Sequence, residues 1–161
     1  MCIRDRETAG GDQWYDFNTA APGSATAYQY WLLVNGLPMD ASGAGSATVS
    51  AANDNLPNLV KYALGLTPTV SGHGGRLSYG KTTVTGSTYL TVTYTRPDPA
   101  PTGSSCLVEA GASLTAAGWS SSGLVETSNT VSGGLRTLTV RDSTPMAGSN
   151  KRFMRLKVTQ P

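Results

Sequence analysis

Few residues of this chain could do chemistry: one histidine, two cysteines and ten carboxylates in 161 residues. His73, the single histidine, lies in the flexible turn Ser71-Gly72-His73-Gly74-Gly75, so neither a His-based triad nor a multi-His metal site can be assembled around it. Asp98, Glu109, Glu126 and Asp142 occur singly. Any two could meet in space as a glycosidase pair, but no spacing prefers one pair, and solvated turn or strand-face carboxylates are the expectation. Cys106 alternates inward with Val108 and reads as a small core hydrophobe rather than a nucleophile. Trp14, Tyr15 and Trp119 are the candidate carbohydrate contacts, because an exposed ring face can stack on a sugar; Trp119, beside an apolar strand, reads rather as core packing. The sequence contains no phosphate-binding loop, dinucleotide glycine motif or metal-ligand cluster. The expectation is no catalytic residue, no metal and no cofactor.

The elements that would position these side chains centre on residues 53–68. Asn53, Asp54 and Asn55 are good N-cap residues, and Pro57 sits just inside the first turn, where its missing N–H is not needed. Leu56, Leu59, Val60, Ala63 and Leu64 recur at helical spacing on one face, with Asn58 and Lys61 on the other. Gly65 follows as a residue able to take φ > 0, and Pro68 makes the stop firm. The short amphipathic helix this predicts must lay its apolar face on a β-sheet. Upstream, Thr26 and Gln29 form a capping box for another helix, with Tyr28, Trp31 and Leu32 inward and Asn35-Gly36 as its exit. Residues 40–52 form a small-residue loop without an apolar period, the segment expected to be most mobile.

From Gly72 onward the period becomes alternating. Leu77 and Tyr79 mark a short strand. In residues 88–95, Leu90, Val92 and Tyr94 are predicted to be buried, and Thr91, Thr93 and Thr95 make a hydroxylated opposite face. The proline-rich residues 96–101 end that strand. Residues 106–110, 124–127, 135–140 and 153–158 read as further strands; in the last, Met154, Leu156 and Val158 face one way and Arg155 and Lys157 the other. The predicted fold is mainly β, an antiparallel β-sandwich of roughly six to eight strands with two short N-terminal helices.

Residues 56–68, Leu56-Pro57-Asn58-Leu59-Val60-Lys61-Tyr62-Ala63-Leu64-Gly65-Leu66-Thr67-Pro68, resemble the segment DGDGLSNLLEYALGLDP in the C-terminal accessory modules of large secreted proteins of Verrucomicrobia and related bacteria. Tyr28-Gln29-Tyr30-Trp31, then Leu107-Val108-Glu109-Ala110 through Leu114 and Trp119, then Arg152-Phe153-Met154-Arg155-Leu156 are similar to further segments of that family in the same order. In the family the acidic run before the helix resembles a thrombospondin type 3 calcium loop, so the resemblance implies a Ca²⁺ site. Here that loop is degenerate. The carboxylate positions fall on Ser50, Ala52 and Asp54, Asn55 replaces a glycine, and Lys61 replaces the helical glutamate. Ca²⁺ takes about six to eight oxygen ligands, several of them carboxylates, and between Ala41 and Leu66 only Asp54 is acidic. The expectation is that Asp54 and Asn55, with Asn58 beside them, cap the helix and that the loop binds no metal.

Met1-Cys2-Ile3-Arg4-Asp5-Arg6 resembles a translated sequencing adapter, to be set aside from fold reasoning and expected to pack against nothing. Cys2 is then foreign, and Cys106 alone makes no intrachain disulfide. Residues 7–24, with Trp14-Tyr15-Asp16-Phe17, read as a linker or the remnant of an upstream domain. Residues 25–70 form the helical segment, packing as one domain with a sandwich over residues 71–161. Charged residues make up 14% of the chain, against a globular average of about 25%. The formal net charge of +2, with dispersed basic residues, gives no case for a nucleic-acid or anionic-membrane partner, and no apolar run is long enough to span a bilayer. Few charges among abundant Ser, Thr and Gly suit an extracellular or cell-surface β-domain. The function expected is a non-catalytic C-terminal accessory module, structural and monomeric, whose partners are upstream domains of the same polypeptide. The alternative is a carbohydrate-binding module on a polysaccharide-degrading enzyme. It requires two or more of Trp14, Tyr15, Trp31, Tyr89, Tyr94 and Trp119 coplanar and exposed on one face. A small hydrolase would instead need a concave pocket with convergent acid and base groups.

Overall fold

A computed structural model of the chain describes residues 25–146 and 151–160 and, upstream of them, the backbone of two short strands, β1 (Ile3–Arg4) and β2 (Trp14–Tyr15). These two pair antiparallel, Ile3 opposite Tyr15 and Arg4 opposite Trp14. The expectation that residues 1–6 pack against nothing is corrected for these two residues, whose backbone is partnered by the segment read as a linker. The side chains of Trp14 and Tyr15, two of the candidate carbohydrate contacts, lie outside the described residues.

Helix α1 (Ala27–Val34) begins with the predicted capping box: Gln29 N donates to Thr26 Oγ1 at 3.2 Å and Thr26 N donates to Gln29 Oε1 at 2.8 Å. Its buried face, Tyr28 and Leu32, packs on helix α2 (Asn58–Ala63). Tyr28, Trp31 and Tyr62 bring their rings to centroid distances of 5.3–5.5 Å, one stacked pair and two edge-to-face. α2 ends in a Schellman motif, with Gly65 N donating to Tyr62 O at 3.0 Å and Leu66 N to Lys61 O at 2.8 Å. Gly65 has φ +65°, and a Cβ placed there would lie 2.5 Å from Pro97 Cγ. The position therefore needs glycine twice over, for the left-handed turn and for the close approach of the sheet.

Six strands form the sandwich, all paired antiparallel. β3 (Leu77–Val84), β4 (Ser87–Pro97), β6 (Leu124–Ser132) and β7 (Leu135–Asp142) make one sheet in the order β3-β4-β7-β6; β5 (Ser105–Gly111) and β8 (Phe153–Thr159) make the other. All six run further than expected, β3 and β6 the most. β3 turns into β4 through Thr85-Gly86 and β6 into β7 through Gly133-Gly134, both two-residue loops with φ > 0 at each position, the geometry that matches strand twist. Val92 and Tyr94 are buried with Leu64 of α2 and Val108 of β5 in the central core, as the alternation predicts. Leu90 is only half-buried, because a sheet of two strands covers a sheet of four in part. On the outer face Thr93 meets Thr139 and Thr95 meets Thr137, hydroxyl to hydroxyl at 2.9 and 2.8 Å. Among the described residues no helix is long and apolar enough to cross a membrane.

Candidate functional site

The loop before α2 does not cap the helix with side chains. The N-cap residue is Pro57, and the free N–H groups of the first turn are taken by loop carbonyls: Asn58 N donates to Val49 O at 2.8 Å and Leu59 N to Ala47 O at 3.1 Å. The capping role predicted for Asp54 and Asn55 is thereby corrected. Asn53 and Asn55 adopt φ of +54° and +61°, a double left-handed bend, and Asp54 between them accepts from Leu56 N, ahead of the N-cap, rather than from a first-turn N–H. Asn58 is fully buried. Its Nδ2 donates to Ala44 O at 2.7 Å and Ser46 O at 3.0 Å, while Tyr28 Oη donates to Gly45 O at 3.2 Å. Residues 40–52, expected to be the mobile part of the domain, are stitched to both helices.

Asp54 and Lys61 form the centre of this region. Asp54 Oδ1 accepts from Ser50 Oγ at 2.6 Å and Leu56 N at 3.0 Å; its Oδ2 accepts from Gly72 N at 2.7 Å and from Lys61 Nζ at 2.7 Å. Lys61 Nζ also donates to Pro68 O at 3.1 Å and Val70 O at 2.8 Å. All three ammonium protons and four acceptor positions of the carboxylate are thus engaged. Sequence periodicity places Asn58 and Lys61 on the outward face, yet both are 0% exposed. The reason is non-local: residues 44–56 and 66–72 fold over the side of α2 that faces away from the sheet, so the helix is buried all round. The Lys61 bond, followed by that of Ser50, holds the Asp54 carboxyl far below the usual carboxylate range. These residues do not fit a Ca²⁺ ion, since the one carboxylate of the loop already holds a cation of the chain itself. Among the described residues no three His, Cys, Asp or Glu side chains converge as metal ligands.

The other acidic candidates are also paired. Asp142 and Glu109 are buried rather than solvated, at 1% and 6% exposure. Arg152 donates twice to Asp142, at 2.7 and 2.8 Å, and Arg155 and Lys157 both donate to Glu109. Arg136 donates to both oxygens of Asp98, at 3.0 and 3.2 Å, and Asn129 donates to Glu126. The Arg155 bond lowers the Glu109 pKa and the Arg136 bond that of Asp98; at Asp142, burial pushes the pKa up but Arg152 and the Thr144 N–H outweigh it. Cys106 packs against the central core, as expected, and burial pushes its thiol pKa up, away from the thiolate a nucleophile requires.

Trp119 does not join either core cluster. It lines an open groove of about 270 Å³ with Tyr79, Leu90, Leu114, Phe153 and Met154 at the uncovered end of the large sheet, and the Arg155 guanidinium lies 4.3 Å from its ring centroid. Tyr79, absent from the sequence-derived aromatic set, is 61% exposed there. Of the set itself, Tyr94 is buried, Trp31 packs against Tyr28 and Tyr62, and Tyr89 carries Arg141 at 4.5 Å. No family model, curated protein or solved structure matches the chain.

Proposed function

We propose that this chain is a non-catalytic accessory module, structural in role, of a secreted or cell-surface bacterial protein, monomeric and joined to upstream domains of the same polypeptide. The observation that carries the reading is the state of the paired acids. Asp54, Asp98, Glu109 and Asp142 each hold a cationic side chain, and each is shifted down in pKa. A general acid working near neutral pH needs the opposite shift, toward 6 or 7. The low charge, the Ser/Thr/Gly-rich strands and the ordered resemblance along residues 28–158 support the secreted context. Incubated with chromogenic glycosides, esters and peptides, the chain is expected to leave each at the buffer rate. Turnover abolished by Asp98→Asn or Glu109→Gln would remove the reading.

The groove beside Tyr79 and Trp119 favours one second reading, a carbohydrate-binding module attached to a polysaccharide-degrading enzyme. Tyr79, Trp119 and Phe153, three aromatic residues lining one open groove, offer apolar faces for a sugar ring. Depletion of the chain from solution by insoluble cellulose, chitin or xylan, lost in both Tyr79→Ala and Trp119→Ala, would establish it. Equal depletion of the parent and both variants would reject it.

A further inference from the structure

The feature of α2 that no local pattern explains is a lysine whose ammonium is wholly enclosed by oxygen. Burying an ammonium is costly unless every proton is matched and a counter-charge is adjacent. Both conditions hold here: Asp54 Oδ2 at 2.7 Å, Val70 O at 2.8 Å and Pro68 O at 3.1 Å surround Lys61 Nζ, with the lysine side chain 0% exposed and that of Asp54 7% exposed. The three oxygens come from two stretches of chain, Asp54 in the loop before α2 and Pro68 and Val70 in the segment after it. One ammonium therefore ties both segments to the helix between them, alongside the Gly72 N–H that donates to Asp54.

We propose that this cage is a cation site closed by the chain's own ammonium. The helix-and-loop unit is locked without a metal ion, and once the tether is cut the cage takes a small primary ammonium from solution. The resemblance implied a metal held by Asp54; the chain instead supplies a cation covalently, from the helical position where the resemblance places a glutamate. Selectivity follows from the donors. An ammonium offers three N–H groups to three acceptors, and the shaft left by the lysine stem, lined by α2 and its covering loops, accommodates an alkyl chain of the same length.

The test is thermal unfolding of the full chain. Lys61→Ala removes three methylenes and the ammonium, a fragment equal to propylammonium. The variant is expected to melt about 10 °C lower, as follows from leaving a buried carboxylate without its partner. Propylammonium chloride at 100 mM is expected to recover several degrees in the variant and none in the parent; tetramethylammonium chloride at the same ionic strength, lacking N–H donors, recovers none. Equal effects of the two salts on the variant would overturn the proposal. If Lys61→Ala does not fold, the parent chain decides: the Lys61 ammonium is expected to give a slowly exchanging ¹⁵Nζ signal at neutral pH, and its absence rejects the enclosed cage. A rise in the parent's melting temperature in millimolar Ca²⁺ over chelator, lost in Asp54→Ala, would also reject it, because metal and ammonium cannot share Asp54.

Discussion

Asn58 shows how one side chain can hold a loop of small residues in place. Its amide donates to two carbonyls in the loop before α2, and Asn58→Ala leaves Ala44 O without that donor and Ser46 O with only the Val49 N–H. Stability is expected to fall by about 1–2 kcal/mol, the net contribution of the two lost hydrogen bonds. Urea unfolding of the variant beside Asn58→Asp checks this. A change under half a kcal/mol for Ala would show that water replaces the amide. The importance of Asn58, Lys61 and Asp54 was only partly legible in the sequence. Thr26, Gln29 and, in its left-handed turn, Gly65 act on neighbours within four residues, so these roles can be read from spacing; the approach of Pro97 to Gly65 cannot. Asn58 and Lys61 are buried by residues 44–51 and 68–72, and nothing in a helical period records what covers the far side of a helix.

At the scale of elements, α2 is the joint between the aromatic cluster of α1 and the core of the sandwich. Leu64 is fully buried against Val92, Tyr94 and Val108, and Leu64→Ala is expected to cost about 3 kcal/mol through lost transfer energy and a residual cavity. Gly65→Ala meets both a left-handed φ and Pro97 Cγ, so it should destabilise by at least about 1 kcal/mol although it adds a single methyl group. A melting temperature unchanged in Gly65→Ala would mean that β4 can move away from the helix end. The six strands were legible because alternation is a local signal, and their order in sequence matches the expectation. Their lengths were not. Thr85-Gly86 and Gly133-Gly134 become tight hairpin turns only when the flanking strands pair, so β3 and β6 extend past the short alternating stretches that marked them, Leu77 to Tyr79 and residues 124–127, to Val84 and Ser132. Nor was the incomplete cover of the large sheet foreseeable, since it depends on how two strands lie across four.

For the whole molecule, the acid limb of stability follows from the four lowered carboxylates that hold a cationic side chain. Asp54, Asp98, Glu109 and Asp142 titrate below their ordinary values in the folded chain. Each therefore contributes stability that is complete above an unfolded pKa of about 4 and is lost as pH falls through the folded value. The melting temperature is expected to stay level from about pH 7 to 5 and to fall steeply below about pH 4. Arg152→Met should shrink the fall by removing the Asp142 contribution. A melting temperature that rises on acidification would contradict all four assignments.

The β-bulge in β6 has a bearing on solubility. β6 is an edge strand nine residues long, largely exposed and carrying one charge, Glu126. Such an edge invites a second chain to add its own strand. The pairing of β6 with β7 slips between Glu126 and Ser128, leaving Thr127 out of register, where its hydroxyl donates to Thr139 O at 3.1 Å. That slip bends the strand and breaks the even row of outward N–H and C=O groups a neighbour would need. Deleting Thr127 restores the row, and light scattering of the deleted chain at high concentration should show edge-to-edge dimers and larger aggregates under conditions where the parent chain stays dispersed.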